Sequence, residues 1–287
     1  MRIGLVTPIV IRNPAGHNPW EATATVEDLR RIAMAADELG FHHLAASEHI
    51  GIPASEQGRR GTVYWDALAT LSYLAACTSR IRLLSHCVVL PYHHPLEIVK
   101  RWGTLDQLSG GRLTLGVGVG SLAEEFALLD IPMEGRGERA DEAIAAIRSA
   151  WGVREPSFNG AHFAWDGLVV EPNGVQEHLP IWVGGRTRRS LRRAVELGSG
   201  WVPFGLAPDE VAAMLAEVEV PDDFEVVLRP GHDLIDPQAD PDGVMATLEA
   251  LSAAGGTMHN VRLRADSPAH FIEQLGHLAG LVDLEAP

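Results

Sequence analysis

Short apolar runs alternate along this chain with longer segments whose apolar residues recur at helical spacing. The first helical segment follows a candidate capping box at Thr25 and ends before Gly40. Its apolar positions are Val26, Leu29, Ile32, Ala33, Ala36 and Leu39. This spacing, with a capping residue before it and a glycine after it, is typical of an amphipathic helix packed on a core. The pattern then repeats, which predicts alternating strands and helices.

Eight apolar runs are predicted as strands: residues 3–7, 43–47, 81–89, 113–117, 181–183, 200–202, 225–228 and 260–263. A predicted helix follows each strand. Eight such units are typical of a closed parallel barrel, so we predict a single (β/α)8 TIM barrel domain over residues 1–287. A loop-rich insertion, residues 152–177, is predicted between strands four and five. An open doubly wound sheet is the alternative, but its glycine-rich turn is missing at Thr7-Pro8-Ile9.

Charge and cysteine content limit the kinds of binding partner and the cellular compartment that we expect for this protein. The chain has 38 acidic and 23 basic residues and a net charge of −15, which argues against a nucleic-acid partner. Cys77 and Cys87 are too few for a disulfide framework, which suits a reducing cytoplasm. No apolar run approaches the roughly 18 residues that span a bilayer. We therefore expect a cytoplasmic protein with a small-molecule substrate and no membrane partner.

Functional groups of a barrel gather at the carboxyl ends of its strands. Glu48 and His49 close the second predicted strand, and a carboxylate beside an imidazole can carry out proton transfer. The alternative is a polar pair that only satisfies backbone groups at the barrel end. Cys87, in the third strand, is by residue type alone a small apolar filler. His93 and His94 lack the spacing of a metal-ligating pair, so no metal site is predicted.

Two glycine-containing junctions are candidate ligand sites. Gly118 and Gly120 follow the fourth strand, where glycines permit close backbone approach by a flat or anionic ligand. A tight strand–helix turn is the alternative. Gly184, Gly185 and Arg186 follow the fifth strand at the start of a helix. Exposed amides, the helix dipole and a guanidinium would favour a phosphate there, although a plain helix cap remains the other interpretation.

Several motifs occur together in a fixed order, and their combination is more specific than any one of them. They are Leu39-Gly40-Phe41, Glu48-His49, Pro91-Tyr92-His93-His94-Pro95, Thr104-Leu105-Asp106-Gln107-Leu108-Ser109-Gly110-Gly111-Arg112, Leu115-Gly116-Val117-Gly118-Val119-Gly120 with Glu124-Glu125, and Ile181-Trp182-Val183-Gly184-Gly185. Up to about Val202 the chain resembles the luciferase-like monooxygenase family, specifically its branch that uses the deazaflavin coenzyme F420.

The resemblance implies a barrel whose redox chemistry takes place on a flat tricyclic cofactor. The reaction would be hydride transfer at C5 of F420 or, as the alternative, oxygen activation by FMN. In relatives the ring lies across the barrel mouth against a non-prolyl cis peptide in the third strand, which by the match would be Cys87–Val88. His49 would lie near the reactive ring edge, with Glu48 beside it, and Glu124 would contact the ring. The tail phosphate would be held at Gly184, Gly185 and Arg186.

The chain departs from the family pattern at Ser199, where many relatives carry Asp, and we expect this change to affect the cofactor end of the site. Relatives are often homodimers, which implies a homodimer here. A non-catalytic flavin-binding barrel is a further alternative. A metal-dependent barrel hydrolase would need a His-x-His pair on the first strand, where the chain has Leu5-Val6-Thr7.

Overall fold

Eight parallel strands form a closed barrel in the computed structural model, which describes residues 1–231, 234–285 and 287. The barrel strands are β1 Ile3–Val6, β2 His43–Ala46, β3 Arg82–Ser85 with its continuation Val88–Val89, β4 Leu113–Gly118, β5 Ile181–Gly184, β6 Gly200–Val202, β7 Glu225–Leu228 and β8 Met258–Val261. Consecutive strands pair in parallel, and β8 returns to β1 where Ile3 pairs with His259. The predicted (β/α)8 TIM barrel is confirmed.

Helices lie between the strands and surround the barrel. They are α1 Val26–Leu39, α2 Gln57–Arg60, α3 Ala67–Cys77, α4 Pro95–Ser109, α5 Ala123–Leu128, α6 Arg136–Ala150, α7 Arg188–Leu197, α8 Pro208–Leu215, α9 Pro241–Ala253 and α10 Pro268–Leu281. The predicted caps of α1 are present, since Thr25 accepts from the Asp28 amide and Gly40 has φ of 88°. The short helix α5 is absent from the sequence-based assignment.

Two apolar layers hold the barrel together. Six buried side chains from six different strands form one cluster: Ala45, Leu84, Trp182, Val202, Val227 and Met258. A larger cluster joins the outer faces of the strands to the helices. At the amino ends of the strands the rings of His42 and His43 pack against Trp182. Side chains therefore fill the barrel interior toward the amino ends of the strands, and open space is left at the carboxyl ends.

The sequence block around Asp106 has a structural role. Asp106, on α4, is fully buried and accepts hydrogen bonds from the amides of Val175 and Gln176 at 2.8 and 3.1 Å. Arg112 donates to the carbonyl oxygens of Ala75 and Ile81, which ties the start of β4 to α3 and to the start of β3. The block most specific to the resemblance therefore sets the spacing of strands and takes no part in lining the barrel mouth.

The segment predicted as an insertion, 152–177, lies between α6 and β5. It contains a two-stranded antiparallel hairpin in which Phe158–Asn159 pairs with Ala164–Trp165. Glu142 on α6 accepts hydrogen bonds from the amides of Ala161, His162 and Phe163, which fixes the hairpin turn to the barrel. Among the described residues, no helix combines the length and the apolar character that a membrane crossing requires.

Candidate active site

A cavity of about 310 Å³ opens at the carboxyl ends of the barrel strands. Seven of the ten residues that the sequence analysis proposes for the site line it: Glu48, His49, Cys87, Gly118, Gly120, Gly184 and Gly185. The remaining three do not line it: Val88 is buried in the wall, while Glu124 and Arg186 are exposed outside. The seven lining residues come from the bulge in β3 and from the carboxyl ends of β2, β4 and β5 with the loops that follow them, which the barrel brings together.

The third strand is interrupted by a bulge that contains a non-prolyl cis peptide between His86 and Cys87. The sequence-based position, Cys87–Val88, was one residue too late. His86 is held by β2, because its amide donates to Ala46 and its carbonyl accepts from the Ser47 hydroxyl at 2.7 Å. Val88 already pairs with Val117 of β4. Between His86 and Val88 the backbone therefore changes its hydrogen-bonding partner from β2 to β4. A motif match cannot locate this change to a single residue.

Cys87 forms a shallow wall of the cavity between two glycines. A Cβ atom built on Gly184 would lie 2.5 Å from the Cys87 Sγ atom, and one on Gly118 would lie 3.5 Å from the Cys87 Cβ. Burial raises the pKa of the Cys87 thiol to about 12, despite a hydrogen bond from the Gly184 amide that lowers it. The thiol is therefore neutral at physiological pH. With no side chain at either glycine, this part of the wall is flat.

His49 is oriented by a buried carboxylate that the sequence analysis did not single out. The Nδ1 atom of His49 lies 3.1 Å from Oε2 of Glu125 on α5. The same carboxylate accepts from the amides of Ile50 and Gly51 at 2.7 and 3.2 Å and from the Tyr92 hydroxyl at 3.2 Å. Burial acts to raise the pKa of Glu125, but the bonds from His49 and the two amides outweigh it and leave the pKa lowered. Glu125 is therefore an ionised partner for the imidazole.

The adjacent carboxylates Glu124 and Glu125 have opposite environments. Glu125 is 2% exposed and faces the cavity, whereas Glu124 lies on the exposed side of α5. Glu125, and not Glu124, therefore borders the cavity in which the resemblance expects a ring contact. Helical rotation of about 100° per residue separates the two directions, and the sequence could have shown this only if α5 had been recognised as a helix.

Glu48 joins the end of β2 to the bulge in β3. Its Oε2 accepts from the Val89 amide at 2.6 Å, and its Oε1 lies 2.8 Å from Nε2 of His93. Burial acts to lower the pKa of His93, but pairing with Glu48 outweighs it and leaves this pKa raised. Both Glu48 and His49 border the cavity, yet each has its own partner. They form two separate acid–imidazole pairs.

The loop after β5 has the features of an anion cradle. Thr187 caps α7, and it exchanges hydrogen bonds with Ser190 in a capping box. A Cβ atom at Gly185 would lie 2.5 Å from the Ser190 Cβ, so the backbone packs directly on the first turn of the helix. The amides of that turn have no partners within a helix, and the helix dipole favours negative charge near them.

Three arginines that the sequence analysis missed also line the cavity: Arg60 pairs with Glu56, and the other two lie at strand ends. Arg229 directly follows β7 and Arg262 directly follows β8. Their position at strand ends was the available signal. Ser199 lies elsewhere: its hydroxyl accepts from the Ile181 amide at 3.1 Å, at the amino ends of β5 and β6. The expectation that Ser199 affects the cofactor end of the site was wrong, because the barrel places it at the opposite end.

No group of three or more His, Cys, Asp or Glu side chains in the described part of the chain could hold a metal ion. The barrel and its mouth cavity instead define a TIM-barrel protein with a glycine-lined site and an oriented imidazole. The family model described as luciferase-like monooxygenase matches residues 1–229. The chain belongs to this family of oxidoreductases.

Solved structures share the fold across nearly the whole chain. The monooxygenase RslO1 from Streptomyces bottropensis has a TM-score of 0.78 and 22% identity, with 98% of each chain covered. An F420-dependent secondary alcohol dehydrogenase in complex with an F420–acetone adduct has a TM-score of 0.72 and 14% identity, with 98% of each chain covered. The oxygenating constituent of 3,6-diketocamphane monooxygenase from Pseudomonas putida, in complex with FMN, has a TM-score of 0.70 and 16% identity, covering 100% of this chain and 99% of that one. These likenesses show the fold alone.

Proposed function

We propose that residues 1–287 form one oxidoreductase domain that binds coenzyme F420 and catalyses hydride transfer to or from a small organic substrate. The observation that carries this proposal is the His49–Glu125 pair, at 3.1 Å, beside the flat wall of Cys87, Gly118 and Gly184. When bound, the deazaflavin supplies a two-electron hydride donor or acceptor. Removing hydride from an alcohol carbon also releases a hydroxyl proton, and an imidazole can accept that proton.

The residues present fit such a cofactor. The wall at Cys87 has no side chain at Gly118 or Gly184, so a planar ring can lie against it. Gly184 and Gly185 bring the backbone to the amino terminus of α7, which suits an anionic tail. The exposed Arg186 adds positive charge beside these glycines. We therefore assign ring contact to the Cys87 wall and tail contact to the loop after β5.

His49 is the group proposed to hold and move the proton. Its Nδ1 faces Glu125, which leaves Nε2 to exchange a proton with the substrate. The Tyr64 ring packs edge-on against the imidazole with centroids 4.5 Å apart and restricts its rotation. When His49 accepts a proton, the ionised Glu125 compensates the new positive charge. Glu48 acts as a positioning residue, because it holds the β3 bulge through the Val89 amide.

Fluorescence titration of the purified protein with F420 and with FMN tests the cofactor assignment. We expect saturable F420 binding by the wild-type protein and by His49→Gln, since His49 is assigned a proton and not the cofactor. Arg186→Gln should weaken binding by about threefold to tenfold, whereas Arg192→Gln, exposed on the helix α7 that follows this loop, should not. Binding of FMN but not F420 would replace the cofactor, and binding of neither would overturn the proposal.

A further inference from the structure

Two guanidinium groups lie on one side of the cavity. Arg229 and Arg262 come from neighbouring strands, since β7 and β8 pair through Val227 with Met258 and Leu228 with His259. Both side chains are half-buried and line the same cavity as His49 and Cys87. They are close enough that the charge of Arg229 helps to lower the pKa of Arg262, which burial lowers to about 10. Arg262 therefore stays protonated near neutral pH.

The acids that border the cavity do not neutralise these two groups. Glu48 and Glu125 each pair with an imidazole, at 2.8 and 3.1 Å. Among residues 1–231, 234–285 and 287, neither Arg229 nor Arg262 forms a salt bridge; Arg262 donates to the carbonyl oxygen of Gly16. Half-buried guanidinium groups that lack a salt-bridge partner among these residues gain from an anionic ligand that joins them.

Glu21 is the acid that acts on Arg262, and its oxygens are already used. Its Oε2 accepts from the Ile9 amide at 2.9 Å, and its Oε1 accepts from the Asn18 amide at 2.7 Å. Its charge raises the pKa of Arg262 without a salt bridge between them. Glu21 offsets part of the charge of Arg262 from a distance and leaves the guanidinium groups open to a ligand.

The barrel places this pair across from the wall assigned to the cofactor ring. In the closed order of eight strands, β7 lies four strands from β3, which carries Cys87. A ring against Cys87 would turn its other face toward Arg229 and Arg262. The helix terminus proposed for the tail follows β5, two strands away from β7. The arginine pair therefore faces the space left for the substrate.

We infer that Arg229 and Arg262 bind an anionic group of the substrate, such as a carboxylate, sulfonate or phosphate. This inference rests on the proposed function, because it takes the ring to occupy the Cys87 wall. Planar guanidinium groups bind such oxyanions through paired, charge-assisted hydrogen bonds. The substrate class is thus a small organic acid or ester anion with an oxidisable or reducible carbon within reach of His49.

Calorimetric titration with sulfate tests the anion site, because sulfate is a small oxyanion that needs little shape complementarity. The titration is done at constant ionic strength, on the protein with and without cofactor. We expect saturable binding by the wild-type protein and by the matched control Arg264→Gln, an exposed arginine two residues from Arg262. Arg229→Gln and Arg262→Gln should each bind sulfate at least about tenfold more weakly. Arg229→Lys should retain part of the affinity, which separates lost charge from misfolding.

A second arm distinguishes a substrate anion from the cofactor's phosphate. The affinities for FMN, riboflavin and F420 are measured for the same variants, since riboflavin lacks the phosphate. We expect all three affinities to stay within about threefold of wild type. The inference would be overturned if Arg229→Gln lowered the affinity for FMN to that for riboflavin. It would also be overturned if Arg229→Gln and Arg264→Gln bound sulfate with equal affinity. If the wild-type protein bound no cofactor but kept arginine-dependent sulfate binding, the proposed function would fail and the anion site would stand.

Discussion

The Cys87 Sγ atom occupies space that a side chain at Gly184 would need, 2.5 Å from an ideal Cβ at that residue. Cys87 belongs to the β3 bulge and Gly184 ends β5, so two strands that are not neighbours in the barrel meet at the cavity wall. Glycine at residue 184 is therefore required by this contact. Its φ is not in the left-handed region, so backbone freedom is not the reason.

Gly184→Ala should destabilise the protein by about 1–3 kcal/mol, because the new methyl group overlaps the Cys87 sulfur. Cys87→Ala removes that sulfur, and the Gly184 Cβ would then lie 3.8 Å from the remaining Cβ, an ordinary contact. The double variant should lose less stability than the sum of the single variants. Urea unfolding of all four proteins measures this coupling, and simple additivity would contradict the contact.

Glu125→Gln and Glu124→Gln are a matched pair of adjacent substitutions. Loss of the Glu125 charge removes the ionised acceptor of His49 and of two amides, so we expect about 1–3 kcal/mol of destabilisation and a changed pH profile of any hydride transfer. Glu124→Gln on the exposed side of α5 should stay within about 0.5 kcal/mol of wild type. Denaturant unfolding and rate–pH profiles are the measurements. Equal effects at both residues would exclude the assigned role of Glu125.

The stabilisation from Glu125 should be lost in acid. Its folded-state pKa is lower than the 4.5 expected for an unfolded chain, so its contribution is present above about pH 4.5 and disappears as the pH falls through the lowered value. Below pH 4.5 the wild-type stability should therefore decline more steeply than that of Glu125→Gln. Unfolding free energies from pH 3 to pH 7, with Glu124→Gln as the control, measure the difference. Parallel curves for wild type and Glu125→Gln would contradict this expectation.

The Cys87 thiol should be nearly inert toward iodoacetamide. Burial raises its pKa to about 12, and only the thiolate reacts, so the reactive fraction at pH 8 is very small. In a Cys77→Ala background, alkylation of the native protein should be roughly a hundredfold or more slower than that of free cysteine. The same protein in urea, where the thiol is exposed, should react at an ordinary rate. Fast alkylation of the folded protein would show that Cys87 is ionised.

Ser199→Ala should affect the stability of the fold without affecting the cavity. The hydroxyl of Ser199 bonds to the Ile181 backbone at the amino ends of the strands, away from the cavity. We expect about 1 kcal/mol of destabilisation and unchanged cofactor affinity. Thermal unfolding and cofactor titration on the same samples measure the two effects. A loss of affinity without a loss of stability would place Ser199 in the site after all.

Local patterns along the chain determined the elements of this fold. Apolar spacing, the cap at Thr25 and the αL glycine at Gly40 predicted α1, and eight repeats of strand and helix predicted the barrel. They did so because backbone hydrogen bonding and side-chain periodicity act over a few residues. Candidate residues at strand ends, among them His49, Cys87 and Gly184, followed from the same local information, since a parallel barrel gathers those ends.

Closure of the barrel decided the rest. It places Glu125, and not Glu124, beside His49. It also determines that the cis peptide is His86–Cys87 and that Ser199 lies at the amino ends of the strands, away from the cavity. It also brings Arg229 and Arg262 to the wall opposite Cys87. Most of these relationships depend on contacts between residues that are far apart in the chain. Strand register and helix rotation determine them, and both arise only when the packed elements meet.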